Sequence, residues 1–592
     1  MTKNIKKNRN LIINTIEICL YCIPVLSAIW LVSQFGVNVP FMDQWGLVSF
    51  YQKVATGEVD FQDFLRQHNE HRLLFPKLIF IIFSFLTNWN IKVEMYFSVV
   101  LVIATFVLIY WISQTNSPRD RILFKVLNLT VCLFLFSWVQ LANWLFGIQL
   151  MWFLISLCVV GAIFCLHVLE IRVSLRMLLS AILCAIASFS SAHGVLSWIA
   201  LIPSVTKLPG TRRQMQWKVA LWLGLFLLVG WIYSIGYRSI SSHPTVDFIS
   251  QEPITGLRYF FTLFYSPLRG FGLSESLGRE IVGGIVVIGF LLANFYYIKH
   301  DRSEIASRLS PWISLGWYAI ILGGVITVGR AGFGVDSALA SRYVNFMTIA
   351  IIALLQILYL LASQQYYWKG YVLRFAVGSL AIILSINVIS GSFQILPLAR
   401  WVFLHRQSNK TCVEVIRYLD PTIERFQNNC ISTLFPDFQI LKKRALILDR
   451  IGFREIPDDL EFRSNPDERY GKLNYWSKDS TPLQLSEGET LLLYGWALLP
   501  EQRGRPYTVL FTYSDRPRFF ANALINQNKP EIAKKQHAKT SQIGWKLEVS
   551  PKQLLERTTK IKAWVYNRDK QAFVRLKGEV KLEVLSTEDV NP

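Results

Sequence analysis

From residue 11 to about 393 long apolar stretches alternate with short polar ones, and beyond about 400 that alternation stops. A membrane-crossing helix needs about 20 consecutive apolar residues. The pattern predicts such spans at 11-35, 93-113, 122-140, 150-170, 177-192, 194-206, 219-236, 281-298, 311-328, 346-363 and 375-393. Lys and Arg in short loops mark the cytoplasmic side. Lys3, Lys6, Lys7 and Arg9 precede the first span, so the amino terminus is placed inside and the 36-72 loop outside. The next basic loop, with Arg119, Arg121 and Lys125, falls inside only if an odd number of crossings separates it from 36-72. The short 73-87 stretch, with Pro76 and Lys77 near its start, is therefore assigned to the interface and 93-113 to the second span. The same rule puts Arg172 and Arg176, Lys207 to Lys218, Lys299 to Arg308, and Lys369 and Arg374 inside. About eleven spans result, with the carboxyl end outside.

The weakest joint is SFSSAHGVLSW. The spans on either side are short, and Ser190, Ser191, His193 and Gly194 between them suggest a broken or re-entrant pair buried among other helices. Polar loops on the outer face are then 36-72, 140-149, 237-280 and 328-346. From 394 to 466 the helix-like spacing of KTCVEVIRYLD and PDFQILKKRALILDRIGF predicts a helical extracytoplasmic connector, with Gly452 as a stop. From 467 to 592 short alternating runs such as YTVLFTY, GWKLEV and KIKAWVYN predict a small β-sandwich. The fold class is thus a mainly α polytopic membrane domain over 1-393, followed by an α/β segment that ends in β structure.

Composition refines this picture in two places. Lys and Arg number 61 against 40 Asp and Glu, a net charge of +21. No basic stripe with interleaved aromatics lies on the polar part, which argues against nucleic acid; the excess sits in short loops, where it sets topology and meets anionic lipid. The charged start and the apolar run after it resemble a signal peptide in order, but the run is too long and no small-residue cleavage site follows, so a retained anchor is expected. Six of the eight cysteines lie in apolar stretches. Cys412 and Cys430 stand alone in the polar part and can pair if that part lies outside the cytoplasm.

Candidate chemistry concentrates in PFMDQWGLVSFYQKVATGEVDFQDFLRQHNEHR, residues 40-72. Asp43, a few residues past the first span, is placed to take a proton from a water-borne acceptor, or is a solvated loop acid. In HNEHR, Glu70 and His71 could bind a divalent cation such as Mg or Mn with Asp43, or His68 and Arg72 could hold a phosphate. The plain alternative is a polar first turn for the 73-87 helix, with Asn69 as its cap. The His-x-Glu-His spacing is not that of zinc proteases. Arg330, Arg342 and Tyr343 flank the outer loop before the tenth span. An arginine there needs an anion: a lipid phosphate, or Asp336 nearby in sequence. Asn143, Trp144 and Gln149 are read as ordinary interface residues rather than sugar ligands.

These features together resemble the GT-C superfamily of glycosyltransferases that use polyprenyl-phosphate sugars. MDQW, HNEHRLLFPKL, SFSSAHGVLSW, GRAGFGVDSALASRY, GWALLP and GW-x-LEV further resemble a group of bacterial membrane proteins similar to that superfamily. The resemblance implies an inverting transfer from a polyprenyl-phosphate sugar to an extracytoplasmic glycan or lipid acceptor, with Asp43 as the loop base, Glu70 as second catalytic candidate, and His68, His71, Arg72, Arg330, Arg342 and Tyr343 toward the substrates. It also implies a bacterial cytoplasmic membrane. The doubled acidic pair of some members is absent, since Gln44 follows Asp43. The rivals are a lipid-linked sugar transporter, which would carry ionisable groups deep within several spans, and a non-catalytic assembly protein for envelope polysaccharide.

Overall fold

The computed structural model describes residues 2-115, 120-238, 247-364, 367-427, 429-476, 483-486, 489-513, 517-554 and 558-584, with backbone only over 2-14 and at 247 and 367. Arg119 and the 239-246 part of the predicted 237-280 loop lie outside these residues, as do the side chains of Lys3, Lys6, Lys7 and Arg9. The chain is mostly helical and ends in a β-rich region. Among the described residues, nine helices are long and apolar enough to cross a membrane. They coincide with nine of the predicted spans, beginning with Thr15–Phe35 and Ile91–Gln114 and ending with Ser341–Gln364 and the helical run from Trp368. The two other predicted spans, 177-192 and 194-206, fall on shorter apolar helices, Val173–Ser188 and Ala192–Val205; the 73-87 stretch is a third, Leu74–Thr87.

Contacts divide the chain into two units. The first comprises Met1–Gly36, Asp60–Phe83 and Lys92–Ala399. Its interior is closely packed around Trp144, Trp198, Trp222 and Trp312, whereas Leu227, Trp231, Leu292 and Phe375 point outward. Apolar side chains of this size facing out along several long helices are the signature of a lipid-facing surface.

The second unit comprises Val37–Val59, Ser84–Ile91 and Arg400–Pro592. Two short pieces from within the first 100 residues thus join the carboxyl-terminal region. They do so through buried aromatic side chains and main-chain hydrogen bonds. Tyr51 packs its ring on Trp89 and Phe453, with centroids 4.8 and 5.7 Å away, and all three are buried. The Met42 N–H donates to the Leu434 carbonyl at 3.0 Å, and the Arg454 guanidinium donates to the carbonyl and side-chain oxygens of Asn38. Cys412 and Cys430 form a disulfide, Cα atoms 6.2 Å apart. It fastens the end of the Leu396–Glu414 helix to the loop ahead of the Phe438–Arg450 helix.

Two sheets are present among the described residues. A two-stranded hairpin, β1 (Gln67–His68) and β2 (His71–Arg72), belongs to the first unit. The other ten strands belong to the second: β3 (Glu461–Arg463), β4 (Gly471–Tyr475), β5 (Leu483–Leu485), β6 (Leu491–Ala497), β7 (Thr508–Tyr513), β8 (Phe519–Asn528), β9 (Gln542–Val549), β10 (Thr558–Asn567), β11 (Ala572–Arg575) and β12 (Val580–Val584). They pair in the order β3-β11-β10-β7-β8-β9-β6-β4, with β12 and then β5 attached to β10. Register shifts in β8 bend the sheet where it passes from β7 to β9. Leu473 of β4, Leu493 of β6, Trp545 of β9, Ile561 of β10 and Leu582 of β12 consequently share one apolar core. The sheet is folded on itself around that core.

Candidate functional site

The segment HNEHR builds the site, and it does so as a hairpin. Gln67 pairs with Arg72 and His68 with His71, leaving Asn69 and Glu70 as the two-residue turn. Asn69 takes a left-handed backbone (φ 50°), which Asn tolerates better than most residues. It is therefore the turn residue and not the cap of the following helix, which begins at Leu74. The turn puts Glu70 at the tip, and the pleat sends the two flanking histidines out from paired positions.

Three anchors hold this tip. The Arg72 guanidinium donates to the carbonyls of Tyr233 (2.8 Å), Leu65 (2.7 Å) and Ile235. Lys77 donates to the carbonyls of Asp63, Phe64 and Arg66, closing the end of the short Phe61–Leu65 helix. The Tyr233 hydroxyl accepts from the Arg72 N–H and donates to the Glu70 carbonyl. Arg72, expected as a phosphate ligand, serves here as a clamp on the main chain, with Nε, Nη1 and Nη2 each donating to a carbonyl oxygen.

Glu70 and Arg330 form an ion pair at 2.5 Å, although 260 residues separate them; each side chain is about a quarter exposed (25 and 24%). Arg330 ends the Glu304–Arg330 helix. Its nearest acid in sequence, Asp336, instead pairs with Arg279 at 2.7 Å. The acid partner of Arg330 is thus the hairpin tip. Arg342 is exposed, with its guanidinium 5.0 Å from the centre of the buried Tyr343 ring.

Behind Glu70 lies a cluster of rings. His71 Nδ1 is 3.1 Å from the Ser191 hydroxyl, and its ring lies 5.3 Å from His193 and 5.5 Å from Trp152. His193 packs on Trp152 at 4.7 Å and on Phe346 at 5.6 Å. His193 is delivered by the 3-10 turn Ala192–Leu196, and Gly194 is what permits it. A Cβ on Gly194 would sit 1.9 Å from the Ala187 carbonyl oxygen, so only glycine lets this turn close on the helix before it. The sequence flagged SFSSAHGVLSW as irregular; the contact to His71, 122 positions earlier in the chain, carries no local signal. Trp152 and Arg279 were likewise not singled out, and Ser191 was noted only as part of the irregular joint.

The other candidates are placed by their own units. Asp43 is exposed in the Met42–Leu47 turn of the second unit, where the Gln44 side chain accepts from the Phe41 N–H. His68 is half-buried across the hairpin from His71. Trp144 is fully buried between Phe136 and Phe153, its indole N–H on the Ser137 carbonyl, and Asn143 donates to the carbonyls of Ser341 and Arg342. Among the described residues no three His, Cys, Asp or Glu side chains gather in a group able to hold a metal ion.

Chemically, a carboxylate beside a guanidinium and two imidazoles can bind an anion, move a proton and steady developing negative charge. Comparison with protein-family models, with curated proteins and with solved structures gives no match to this chain.

Proposed function

We propose that the chain is a multi-pass membrane glycosyltransferase of GT-C type. It moves a sugar with inversion from a polyprenyl-phosphate donor to an extracytoplasmic glycan or lipid acceptor, in a bacterial cytoplasmic membrane. The observation that carries this reading is the Glu70–Arg330 pair beside His71, His193 and Trp152. Before donor arrives, the Glu70 carboxylate occupies the arginine as a substitute anion. The donor phosphate takes over Arg330 and releases Glu70, which becomes free to accept a proton. The acceptor hydroxyl then attacks the anomeric carbon and loses its proton to the carboxylate. The sugar–phosphate C–O bond breaks, and the polyprenyl phosphate leaves with the electron pair, its charge met by Arg330.

The nine long apolar helices and their outward Leu, Phe and Trp side chains support a membrane setting. The Cys412–Cys430 disulfide supports placing the carboxyl-terminal unit outside the cytoplasm. With the amino terminus cytoplasmic, that placement agrees with an odd number of crossings.

The test uses full-length protein in lipid nanodiscs, a panel of polyprenyl-phosphate monosaccharides and a cell-envelope glycan extract. We expect transfer by wild type and its loss in Glu70→Gln with donor binding retained. Transfer kept in Glu70→Gln but lost in Asp43→Asn moves the base to the loop carboxylate of the other unit. Donor binding without transfer by any form rejects the enzyme reading in favour of a lipid-linked sugar transporter.

A further inference from the structure

The second unit contains a cleft of about 560 Å³ between the start of the Leu396–Glu414 helix and the outward face of β8 and β9. This is within the ~300–1,000 Å³ usual for small-ligand sites. Its wall is Trp401, which stays 53% exposed although His405 covers one side of it. The imidazole lies against Trp401 with ring centres 3.9 Å apart and planes tilted by 32°, and its Nδ1 lies 2.9 Å from the Trp401 carbonyl. An indole braced on one side and open toward a cleft offers a flat, electron-rich surface to C–H groups.

The floor differs in character. Along β8 and β9 the alternate residues Ile525, Trp545 and Leu547 enter the core, which turns Asn526, Lys546 and Glu548 outward, all exposed. The floor therefore presents an amide, one cation and one anion, with donors and acceptors in balance and no net charge. A polar floor disfavours an apolar peptide, and charge balance disfavours a polyanion. A ring with C–H groups on one side and hydroxyls at its rim fits both surfaces.

We propose that this cleft binds a short neutral oligosaccharide, its sugar ring stacked on Trp401 and its hydroxyls hydrogen-bonded to Asn526, Lys546 and Glu548. The cleft is lined by residues of the second unit, whereas Glu70 and Arg330 belong to the first, and the proposal does not rest on the transferase reading, since a glycan-assembly protein would use it equally.

The experiment is saturation-transfer NMR and calorimetry on the full chain in nanodiscs, without donor lipid. The probes are cellotetraose, laminaritetraose, maltotetraose and chitotetraose, with trigalacturonate as the anionic control. At least one neutral tetrasaccharide is expected to bind wild type and Glu70→Gln alike. Trp401→Ala should weaken it roughly tenfold, and Asn526→Ala, at an exposed strand position, should weaken it about threefold with thermal stability unchanged. No binding of any neutral probe, equal binding by Trp401→Ala, or preference for trigalacturonate overturns the proposal. So does quenching of wild type by brominated lipid that disappears in Trp401→Phe, which would make Trp401 a membrane-interface anchor.

Discussion

Three arginines that look equivalent in the sequence serve different ends, and their substitutions should separate. Arg72 is buried with its donors on the carbonyls of Tyr233, Leu65 and Ile235. Arg72→Gln strands those carbonyls and should lower stability by about 1–3 kcal/mol, read as a fall in melting temperature. Arg330→Gln should leave melting almost unchanged, because the pair with Glu70 is partly exposed and such pairs contribute little. It should instead reduce sugar transfer on the order of 100-fold. Arg342→Gln, at an exposed side chain, should do neither to a comparable degree. The sequence identified Glu70, His71 and Arg330 as candidates from their chemistry alone. It did not reveal the Glu70–Arg330 pairing, because the anions it offered for Arg330 were a lipid phosphate or the nearby Asp336, and the partner comes from a hairpin 260 residues away.

At the scale of elements, the close approach of the 3-10 turn to the end of the Val173–Ser188 helix fixes His193. Gly194→Ala should cost about 1–3 kcal/mol through backbone overpacking and displace His193 from His71. Gly224→Ala is the control: nothing lies within 4 Å of the added methyl group, so it should be neutral or slightly stabilising. The disulfide gives a second prediction. Its loop of 18 residues corresponds to about 3 kcal/mol, which Cys412→Ser should remove from the carboxyl-terminal unit in a denaturant titration. Helices were legible because a run of 20 apolar residues has few other uses. The strands were legible from their alternation, but the fold of the sheet was not, since the β8 register shifts follow from packing rather than from period.

For the whole molecule, the proposed odd number of crossings depends little on its weakest joint. The Val173–Ser188 and Ala192–Val205 helices either both cross or together turn back, and in each case the later helices keep their direction. Cysteines introduced at Glu58 and Ser274, in a background lacking the exposed Cys19 and Cys22, should react with an impermeant reagent from outside, and those at Gly210 and Arg302 only from within. Labelling of Glu58 and Gly210 positions from one side would break the proposed topology. The assignment of Val37–Val59 and Ser84–Ile91 to the second unit was invisible in the sequence: their partners, Leu434 and Phe453, lie hundreds of residues downstream.

That separation has a consequence for synthesis. The Met42 main chain and the Tyr51 ring wait for Leu434 and Phe453 to be made, about 390–400 residues later, which at ~5–20 residues per second is roughly 20–80 s. Through that interval Tyr51, buried in the finished protein, and Phe85 lack the Phe453 ring that packs against them. The Val37–Val59 segment, the first outer loop of the proposed topology, is thus among the last to fold, and a chain stopped before residue 400 would leave it permanently without its partners.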